Sequence, residues 1–395
     1  MVRSRLRRGF LGVVLLVAFV VASPAAQQAP PPAVKQAAPP AGQPATPPKP
    51  AAPKKNPLLK LIEPWPTAEK LKERRLEAEA DPLFASTEPL AITLVGDFKK
   101  INKDRDPNSK QPFPGTLRIG ETSIPMTLNA RGHLRRMART CDYVPLRVAF
   151  AKKDVKGTLF ERQDALKLVV QCAGGGEFEQ FILREHLAYR TFNVITSRSF
   201  RTRLARVTYV DAVTGKAMGT RAGMFLEDEA GVARRMEGRI VEMQRLRFED
   251  LHTDTLMPMM IFEYMIGNTD YSIYALHNVR IVQRPDKSLH PIPYDLDVSG
   301  LVNPPYGIPA RALMLKSVTD RMYRGPCHSE SVVEPHVANF VAKKELVRAL
   351  PDSIPGLDRT TRVEVRSYLD SFYSSIKNAK DVRGLFVNCA QKSTM

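Results

Sequence analysis

Two clusters of Asp and Asn lie close together in the last third of the chain, and each is flanked by apolar residues. Their polar residues are Asn268, Asp270, His277, Asn278, Asp295 and Asp297. Apolar flanks place such segments in or beside a hydrophobic core, where an ionised carboxylate persists only when it is paired, hydrogen-bonded or bound to a metal. Hard oxygen ligands suit Mg²⁺ or Mn²⁺. The clusters therefore predict a site that holds a divalent metal and a phosphate group.

The N-terminus has the pattern of an export signal. Arginines between Arg3 and Arg8 form a positive region, and Phe10–Val21 is apolar but too short for a comfortable membrane span. Small residues follow, so we predict a signal peptide over residues 1–26. The alternative is an uncleaved N-terminal anchor, and this anchor would be the only expected membrane contact. The Pro- and Ala-rich stretch from residue 27 predicts an extended linker. The expected location is secreted or periplasmic.

The net charge of +18 does not by itself identify a partner. Basic residues are spread along the chain without an aromatic stacking pattern or a nucleic-acid-binding motif, so no nucleic-acid partner is expected. Attraction to anionic lipid or lipopolysaccharide is one interpretation. A nucleotide-binding cleft or a solubilising surface explains the charge more simply.

The four cysteines are Cys141, Cys172, Cys327 and Cys389. An even number in an exported chain predicts two disulfides, and three pairings exist. We predict nearest-neighbour pairing, Cys141 with Cys172 and Cys327 with Cys389, which keeps one bridge in each half of the chain. The spacing does not match a structural zinc site.

The order of predicted elements favours an α+β fold. Thr67–Ala80 is rich in helix formers and predicts a helix that leads into the fold. Apolar runs of strand length follow, and a helix is predicted over Glu177–Phe192. The predicted strands are 90–95, 116–119, 124–130, 146–150, 165–170, 206–211, 221–226, 279–283 and 289–294. An apolar helix over Leu256–Ile266 leads directly into the first Asp/Asn cluster, and the chain is mostly helical after Val337.

Three stretches resemble the CotH family of secreted atypical protein kinases and, more distantly, the HipA-like kinases. They are Ala130-Arg131-Gly132 with the following strand 145–150, Leu183–Tyr189 in the predicted helix, and the two Asp/Asn clusters. The resemblance covers residues 86 to 380. It implies a two-lobed, protein-kinase-like fold, with a β-rich N-lobe over 86–230 and a mainly helical C-lobe over 231–395. It also implies an enzyme that transfers phosphate from ATP to a secreted or envelope protein, or to another envelope acceptor.

The chemistry of phosphoryl transfer gives roles to the clustered side chains, because this reaction needs positioning and charge neutralisation above all. Asp270 is the candidate catalytic residue that accepts or orients the proton of the acceptor hydroxyl. Asn278 and Asp295 are the candidate ligands of Mg²⁺ or Mn²⁺. Asp297 either binds a second metal or fixes the loop.

Two residues of the first half are candidates for binding ATP. Lys167, inside a predicted strand, is placed to reach the α- and β-phosphates, and Glu185 on the next helix could hold Lys167 by an ion pair. The structural alternatives are a solvent-facing lysine and a solvated helix glutamate. Gly174–Gly176 could approach phosphate, but it follows Lys167 instead of preceding it as in ordinary kinases.

One spacing departs from the family pattern, and it keeps other functions open. Asn278 lies eight residues after Asp270, whereas related kinases place the asparagine about five residues after the catalytic aspartate. An insertion here could move Asn278 away from the metal. The alternative hypotheses are an inactive kinase-fold binding or scaffold protein of the envelope and, more weakly, a metal-dependent hydrolase using Asp270, Asp295 and Asp297.

Overall fold

In the computed structural model, which describes residues 62–389, alternating apolar residues of the first half form seven strands. The strands are β1 (Leu90–Gly96), β2 (Phe113–Ile119), β3 (Thr122–Ala130), β4 (Leu146–Phe150), β5 (Ala165–Val170), β6 (Thr202–Asp211) and β7 (Ala217–Leu226). Successive side chains of a strand point to opposite faces. One face of these strands therefore builds a buried core that includes Leu94, Leu117, Val148 and Leu168.

These strands close into a barrel in the order β1-β2-β3-β4-β5-β7-β6. Closure comes from β1, which pairs in parallel with β6 from Leu90 opposite Ala205 to Gly96 opposite Asp211. The other neighbours in the barrel are antiparallel. The prediction of a two-lobed, protein-kinase-like fold with a helical C-lobe is therefore wrong, although the α+β class is confirmed. A closed barrel removes the exposed strand edges of an open sheet.

A second, three-stranded antiparallel sheet follows the barrel in the chain. Its strands are β8 (Arg239–Val241), β9 (Val279–Gln283) and β10 (Leu289–Pro293), in the order β10-β9-β8. The hairpin of β9 and β10 carries the end of the first Asp/Asn cluster into the start of the second. This hairpin therefore determines where the two clusters lie relative to each other.

Helices of the described chain pack against strands of both the barrel and the second sheet. They are α1 (Ala68–Glu79), α2 (Phe98–Lys103), α3 (Lys152–Val155), α4 (Gly176–Ile195), α5 (Glu229–Arg235), α6 (Thr253–Ile266), α7 (Glu330–Ala342), α8 (Lys344–Ser353), α9 (Arg359–Ser375) and α10 (Ala379–Val382). The predicted lead-in helix is confirmed as α1, whose N-cap Thr67 accepts a hydrogen bond from the Lys70 amide at 3.3 Å. The predicted signal peptide and the linker up to residue 56 lie outside the described residues.

Helix α6 is buried from Thr255 to Ile266, and most of the residues in that stretch are apolar. A helix of this kind belongs in the middle of a core. It contributes Met257, Met260 and Phe262 to a second hydrophobic core, which is separate from the barrel interior and also includes buried residues of α4, α7, α9 and the second sheet. All four methionines of this helix, Met257, Met259, Met260 and Met265, are buried in that core.

Both predicted disulfides are present, Cys141–Cys172 and Cys327–Cys389. The first ties the loop between β3 and β4 to the segment after β5, and the second ties the segment before α7 to the end of the described chain. Two disulfides indicate an extracellular or periplasmic protein. Between residues 62 and 389, no helix has the length and apolar character needed to span a bilayer.

Candidate functional site

A single cleft of about 430 Å³ collects both Asp/Asn clusters and part of the barrel wall. Its polar and charged lining residues are Arg131, His133, Arg135, Lys167, Asp270, His277, Asn278, Arg280, Tyr294, Asp295 and Asp297. The structure therefore brings together five of the six candidate site residues. Glu185 is not among the residues that line the cleft.

The Asp270 loop begins where helix α6 ends. Gly267 terminates the helix in the left-handed region, with φ of 64°, and a Cβ there would lie 2.0 Å from the Tyr368 hydroxyl oxygen. Glycine is therefore needed for both the backbone conformation and the close approach. The next residue, Asn268, accepts a hydrogen bond from the Asp270 amide through Oδ1 at 2.9 Å. This turn fixes the backbone from which the Asp270 side chain projects.

Asn278 contacts Asp270 directly, despite the eight-residue spacing. Its Nδ2 donates to the backbone oxygen of Asp270 at 2.7 Å and to Oδ2 at 3.1 Å. Two backbone hydrogen bonds between Ser272 and His277 fold the intervening residues back on themselves. The extra residues therefore form a closed loop and do not move Asn278 away from Asp270.

His277 also contacts the Asp270 carboxylate. Its Nε2 lies 3.2 Å from Oδ1, and both side chains are about half exposed. The hydrogen bond with Asp270 raises the pKa of His277 above its ordinary value, and this effect exceeds the opposing effect of burial. The two oxygens of Asp270 thus face different partners, Asn278 on one side and a titrating imidazole on the other.

The second cluster is held by tyrosines. Asp295 adopts a left-handed backbone with φ of 58° and donates its amide to the Tyr189 hydroxyl at 3.0 Å. Asp297 is buried and accepts a hydrogen bond from the Tyr306 hydroxyl at 3.1 Å. Tyr189 belongs to α4, so the predicted helix that contains the CotH-like stretch contacts this loop.

Unusual electrostatics surround Asp297. Burial and the neighbouring Asp295 raise its pKa to about 6. Glu185 is also fully buried, and burial together with Asp297 raises its pKa well above the ordinary value. The charge that opposes these carboxylates is Arg135, whose Nη1 lies 3.9 Å from Asp297 Oδ2 and 4.0 Å from Glu185 Oε2. Three crowded carboxylates, Glu185, Asp295 and Asp297, outnumber the nearby guanidinium groups of Arg135 and Arg131, and this favours an additional cation.

Lys167 has a different partner from the one predicted. Its Nζ lies 2.7 Å from Glu229 Oε1 at the start of α5, and Arg280 Nε lies 2.7 Å from the same oxygen. Although burial opposes the shift, these two cations lower the pKa of Glu229 to about 2. The predicted Lys167–Glu185 pair is therefore replaced by Lys167–Glu229, and Glu185 faces Arg135. Lys167 follows Leu166, which points into the barrel, so its own side chain lies on the outer face.

Tyr294 contacts three cationic side chains of the cleft. The Lys167 Nζ lies 4.2 Å from its ring centroid and the Arg280 guanidinium carbon lies 4.0 Å away, both within the range of cation–π attraction. Arg131 Nη2 donates to its hydroxyl at 3.4 Å. Sequence reasoning assigned no role to Arg135, Arg280, Glu229 or Tyr294. Arg131 was inside a quoted motif and Tyr294 ended the predicted strand 289–294 next to Asp295, and those positions were the available signal.

A buried polar group lies beneath the Asp270 loop. Glu263 of α6 is fully buried, and neither of its carboxylate oxygens has a hydrogen-bond partner among the described residues. Burial raises its pKa to about 8, although Asn268 and Arg324 oppose the shift. Arg324 Nη1 in turn donates to the backbone oxygens of Thr269 at 2.7 Å and Tyr271 at 2.8 Å. The loop that carries Asp270 is therefore held by Arg324, and the Glu263 carboxyl is buried close to that arginine.

The donor set fits a magnesium–phosphate complex better than a metal bound by protein alone. Among residues 62–389, no three His, Cys, Asp or Glu side chains are grouped so as to hold a metal ion. Magnesium in phosphoryl-transfer sites is usually held by one or two carboxylates, with phosphate oxygens and water completing its shell. Asp295, Asp297 and the amide oxygen of Asn278 match that smaller donor set.

Neither a scan against models of protein families nor a search of curated protein sequences gives a match for this chain. The resemblance to the CotH family therefore stays a prediction from the quoted motifs.

Proposed function

We propose that the cleft binds a nucleoside triphosphate together with Mg²⁺ or Mn²⁺, and that the protein transfers the terminal phosphoryl group to an acceptor hydroxyl. The observation that carries this proposal is the convergence of Asp270, Asn278, Asp295 and Asp297 with Lys167 in one cleft. ATP is the nucleotide that the sequence resemblance implies. The acceptor is a protein or another envelope molecule that carries a hydroxyl group.

The two sets of charges suit the two parts of such a ligand. A triphosphate is anionic and is bound by positioned arginines and lysines through charge-assisted hydrogen bonds. Lys167 and Arg280 already share the Glu229 carboxylate, which holds both cations at the edge of the cleft. Asp295 and Asp297 are the residues that would hold the divalent cation, with Asn278 as a neutral oxygen donor. The bound cation would neutralise charge on the phosphate oxygens.

Asp270 is the candidate general base. The proton of the acceptor hydroxyl passes to its carboxylate as the hydroxyl oxygen forms a bond to the terminal phosphorus, and the bond from that phosphorus to its bridging oxygen breaks. The nucleoside diphosphate leaves with the bonding electron pair. The contacts of Asp270 with Asn278 and His277 orient the carboxylate for this role.

Ligand-induced stabilisation tests the binding part of the proposal. ATP with Mg²⁺ or Mn²⁺ should raise the melting temperature of the wild type, because a ligand that binds only the native state stabilises it by mass action, by about 2.7 kcal/mol at a hundred times Kd. Asp295→Ala should remove the metal-dependent part of this shift, since it removes an anionic metal ligand.

Asp286→Ala provides a matched control. It removes the same charge from an exposed turn of the β9–β10 hairpin, away from the cleft lining, and should retain the full shift. A wild type without any nucleotide- and metal-dependent shift would contradict the proposal, and so would an undiminished metal-dependent shift in Asp295→Ala. A wild type that binds ATP but transfers no labelled phosphate to itself or to envelope proteins would instead be a nucleotide-binding protein.

A further inference from the structure

A second polar cavity, of about 310 Å³, shares no lining residue with the cleft. The segment after Phe84, helix α4, the segment before β6 and helix α5 contribute its lining. Three arginines line it, Arg190, Arg201 and Arg235, together with hydroxyl side chains that include Thr87 and Ser197. Among the described residues that line it, none is Asp or Glu. The cavity is therefore rich in hydrogen-bond donors and positively charged.

In two of the three arginines, every guanidinium nitrogen already donates to an acceptor. Arg201 and Arg235 share the buried Glu227 carboxylate, with Nη2–oxygen distances of 2.8 Å and 2.7 Å. Arg201 also donates to the backbone oxygen of Ala78 at 2.7 Å, and Arg235 donates to that of Ser197 at 2.7 Å. These contacts fix both guanidinium groups as part of the cavity wall.

Arg190 differs from them. Its side chain is half-buried, and among residues 62–389 it has no hydrogen-bond or ion-pair partner. Burial lowers its pKa, and burial together with the charge of Arg190 lowers the pKa of the neighbouring His186 to about 3. Burying a cation without an acceptor is unfavourable. Residues 1–61 and 390–395 contain no Asp or Glu, so they hold no side-chain carboxylate that could pair with Arg190.

The hydroxyl groups of the cavity can complement this arginine. Ser86 Oγ accepts from the Glu88 amide and Thr196 Oγ1 accepts from the Arg198 amide, each at 3.2 Å. A hydroxyl that accepts such a bond still carries a hydrogen to donate. Donors therefore come from several separate segments of the chain that line the cavity. A ligand with oxygens pointing in several directions makes use of all of them, whereas a planar carboxylate does not.

We propose that this cavity binds a phosphate or sulfate group, with Arg190 as its charge partner and the surrounding hydroxyls as further donors. The site is separate from the cleft and does not depend on the proposed transfer activity. The group belongs to a small anion or to a phosphorylated or sulfated molecule whose remainder extends out of the cavity.

Isothermal titration of the full chain with inorganic sulfate and inorganic phosphate, at constant ionic strength set with chloride, tests the proposal. The titrations are done in a Lys167→Gln background, which weakens any anion binding by the cleft. Arg190→Gln should weaken binding at least tenfold. Arg190→Lys should give an intermediate loss, because lysine keeps the charge but not the planar donor set. Tighter binding of phosphate than of sulfate indicates a phosphorylated ligand, and the reverse indicates a sulfated one.

Arg198→Gln is the matched control. Arg198 is also half-buried and lies eight residues further along, but it lines a different cavity, so its removal should change affinity less than twofold. Equal losses in Arg190→Gln and Arg198→Gln would overturn the proposal in favour of a general positive field. Unchanged binding in Arg190→Gln, or acetate binding as tight as sulfate binding, would also overturn it.

Folding of the variant can be checked separately. Arg190→Gln should melt at or above the wild-type temperature without ligand, because it removes an unpaired, half-buried charge. A clear fall in the ligand-free melting temperature would contradict the unpaired state on which the proposal rests. Absence of ATP binding at the cleft would leave the Arg190-dependent sulfate affinity unchanged, so the two proposals can fail independently.

Discussion

The two sides of the cleft differ in charge and in the way the chain builds them. Among the described residues that line the cleft, the barrel side contributes Arg131, Arg135 and Lys167 and no carboxylate, whereas residues 270–298 contribute three carboxylates and one arginine, Arg280. The carboxylates lie within 28 residues of one another, on two loops joined by a hairpin. The barrel cations come from the loop between β3 and β4 and from strand β5. The chain between them contains Cys141 of the first disulfide. Local sequence thus encodes the anionic side, while the barrel assembles the cationic side.

This contrast explains why the two sides need different support. Asp270 and Asn278 hold each other through side-chain and backbone contacts within one loop. Arg135, by contrast, lies in the loop between β3 and β4, and its guanidinium reaches the backbone oxygen of Val170 in β5. The Cys141–Cys172 disulfide closes this same loop onto the segment after β5. The cationic side is therefore stabilised by long-range covalent and hydrogen-bonded contacts.

The strongest test of the anionic side is Asp270→Asn. If Asp270 is the general base, transfer of labelled phosphate should fall by about 10²- to 10⁴-fold while ATP affinity stays within about twofold. The physical reason is that asparagine keeps the shape but cannot accept the proton. Asp286→Asn in the exposed turn should transfer at the wild-type rate. Retention of more than a tenth of the wild-type rate by Asp270→Asn would assign the proton to another group.

Removing each disulfide in turn tests whether the cationic side of the cleft depends on the first one. Chain entropy gives a loss of about 4 kcal/mol for each pair changed to serine, with the longer Cys327–Cys389 loop larger by about 0.6 kcal/mol. Only Cys141→Ser/Cys172→Ser should also weaken ATP binding, because it frees the loop that carries Arg131 and Arg135. Denaturant unfolding and nucleotide titration measure the two effects. Equal weakening of ATP binding by both pairs would show that the first disulfide has no special link to the cleft.

The free energy of unfolding should depend on pH through Glu263, which is buried near the Asp270 loop. Burial raises the pKa of Glu263 to about 8 in the folded state, against an ordinary value of 4.5, so the folded protein binds this proton more tightly. This contribution to stability is complete below about pH 4.5 and is lost as the pH rises through 8. Glu263→Gln should therefore remove a fall of about 3 kcal/mol in unfolding free energy between pH 5 and pH 7.

Urea unfolding at several pH values measures this difference. Glu242→Gln, at an exposed position, should leave the pH dependence unchanged. Parallel pH profiles for wild type and Glu263→Gln would mean that Glu263 is ionised in the folded protein and has a partner.

The smallest expected effect concerns two single side chains of the cleft, the cation Lys167 and the carboxylate Asp297. Lys167→Gln should weaken ATP binding by about 10- to 100-fold both with and without Mg²⁺, because a charge-assisted hydrogen bond contributes about 1.5–3 kcal/mol. Asp297→Asn should weaken ATP binding only when Mg²⁺ is present. Lys153→Gln, an exposed lysine of the barrel side, should bind normally. If both cleft variants showed the same metal dependence, the division of roles between the two sides would be wrong.

Much of the local structure could be predicted from sequence. Strands β4 and β5 have the predicted bounds, and the predicted helix 177–192 lies inside α4 (Gly176–Ile195). Alternation and helical periodicity reflect which residues are buried, so they identify elements without knowledge of their neighbours. Nearest-neighbour cysteine pairing was also confirmed. The candidate carboxylates were predictable because their charges stand among apolar residues within a short segment.

The partners of these elements were decided by the tertiary structure. Nothing in Leu90–Gly96 indicates that it will lie parallel to Ala205–Asp211, more than a hundred residues later, and this pairing is what replaces the predicted lobe with a closed barrel. In the same way Lys167 could be identified as a candidate, but its pairing with Glu229 instead of Glu185 depends on how α5 and β5 meet. Periodicity determines the face on which a side chain lies. Which side chain it meets there is determined by the packing of distant segments, and for this chain that packing decided both the barrel and the cationic side of the cleft.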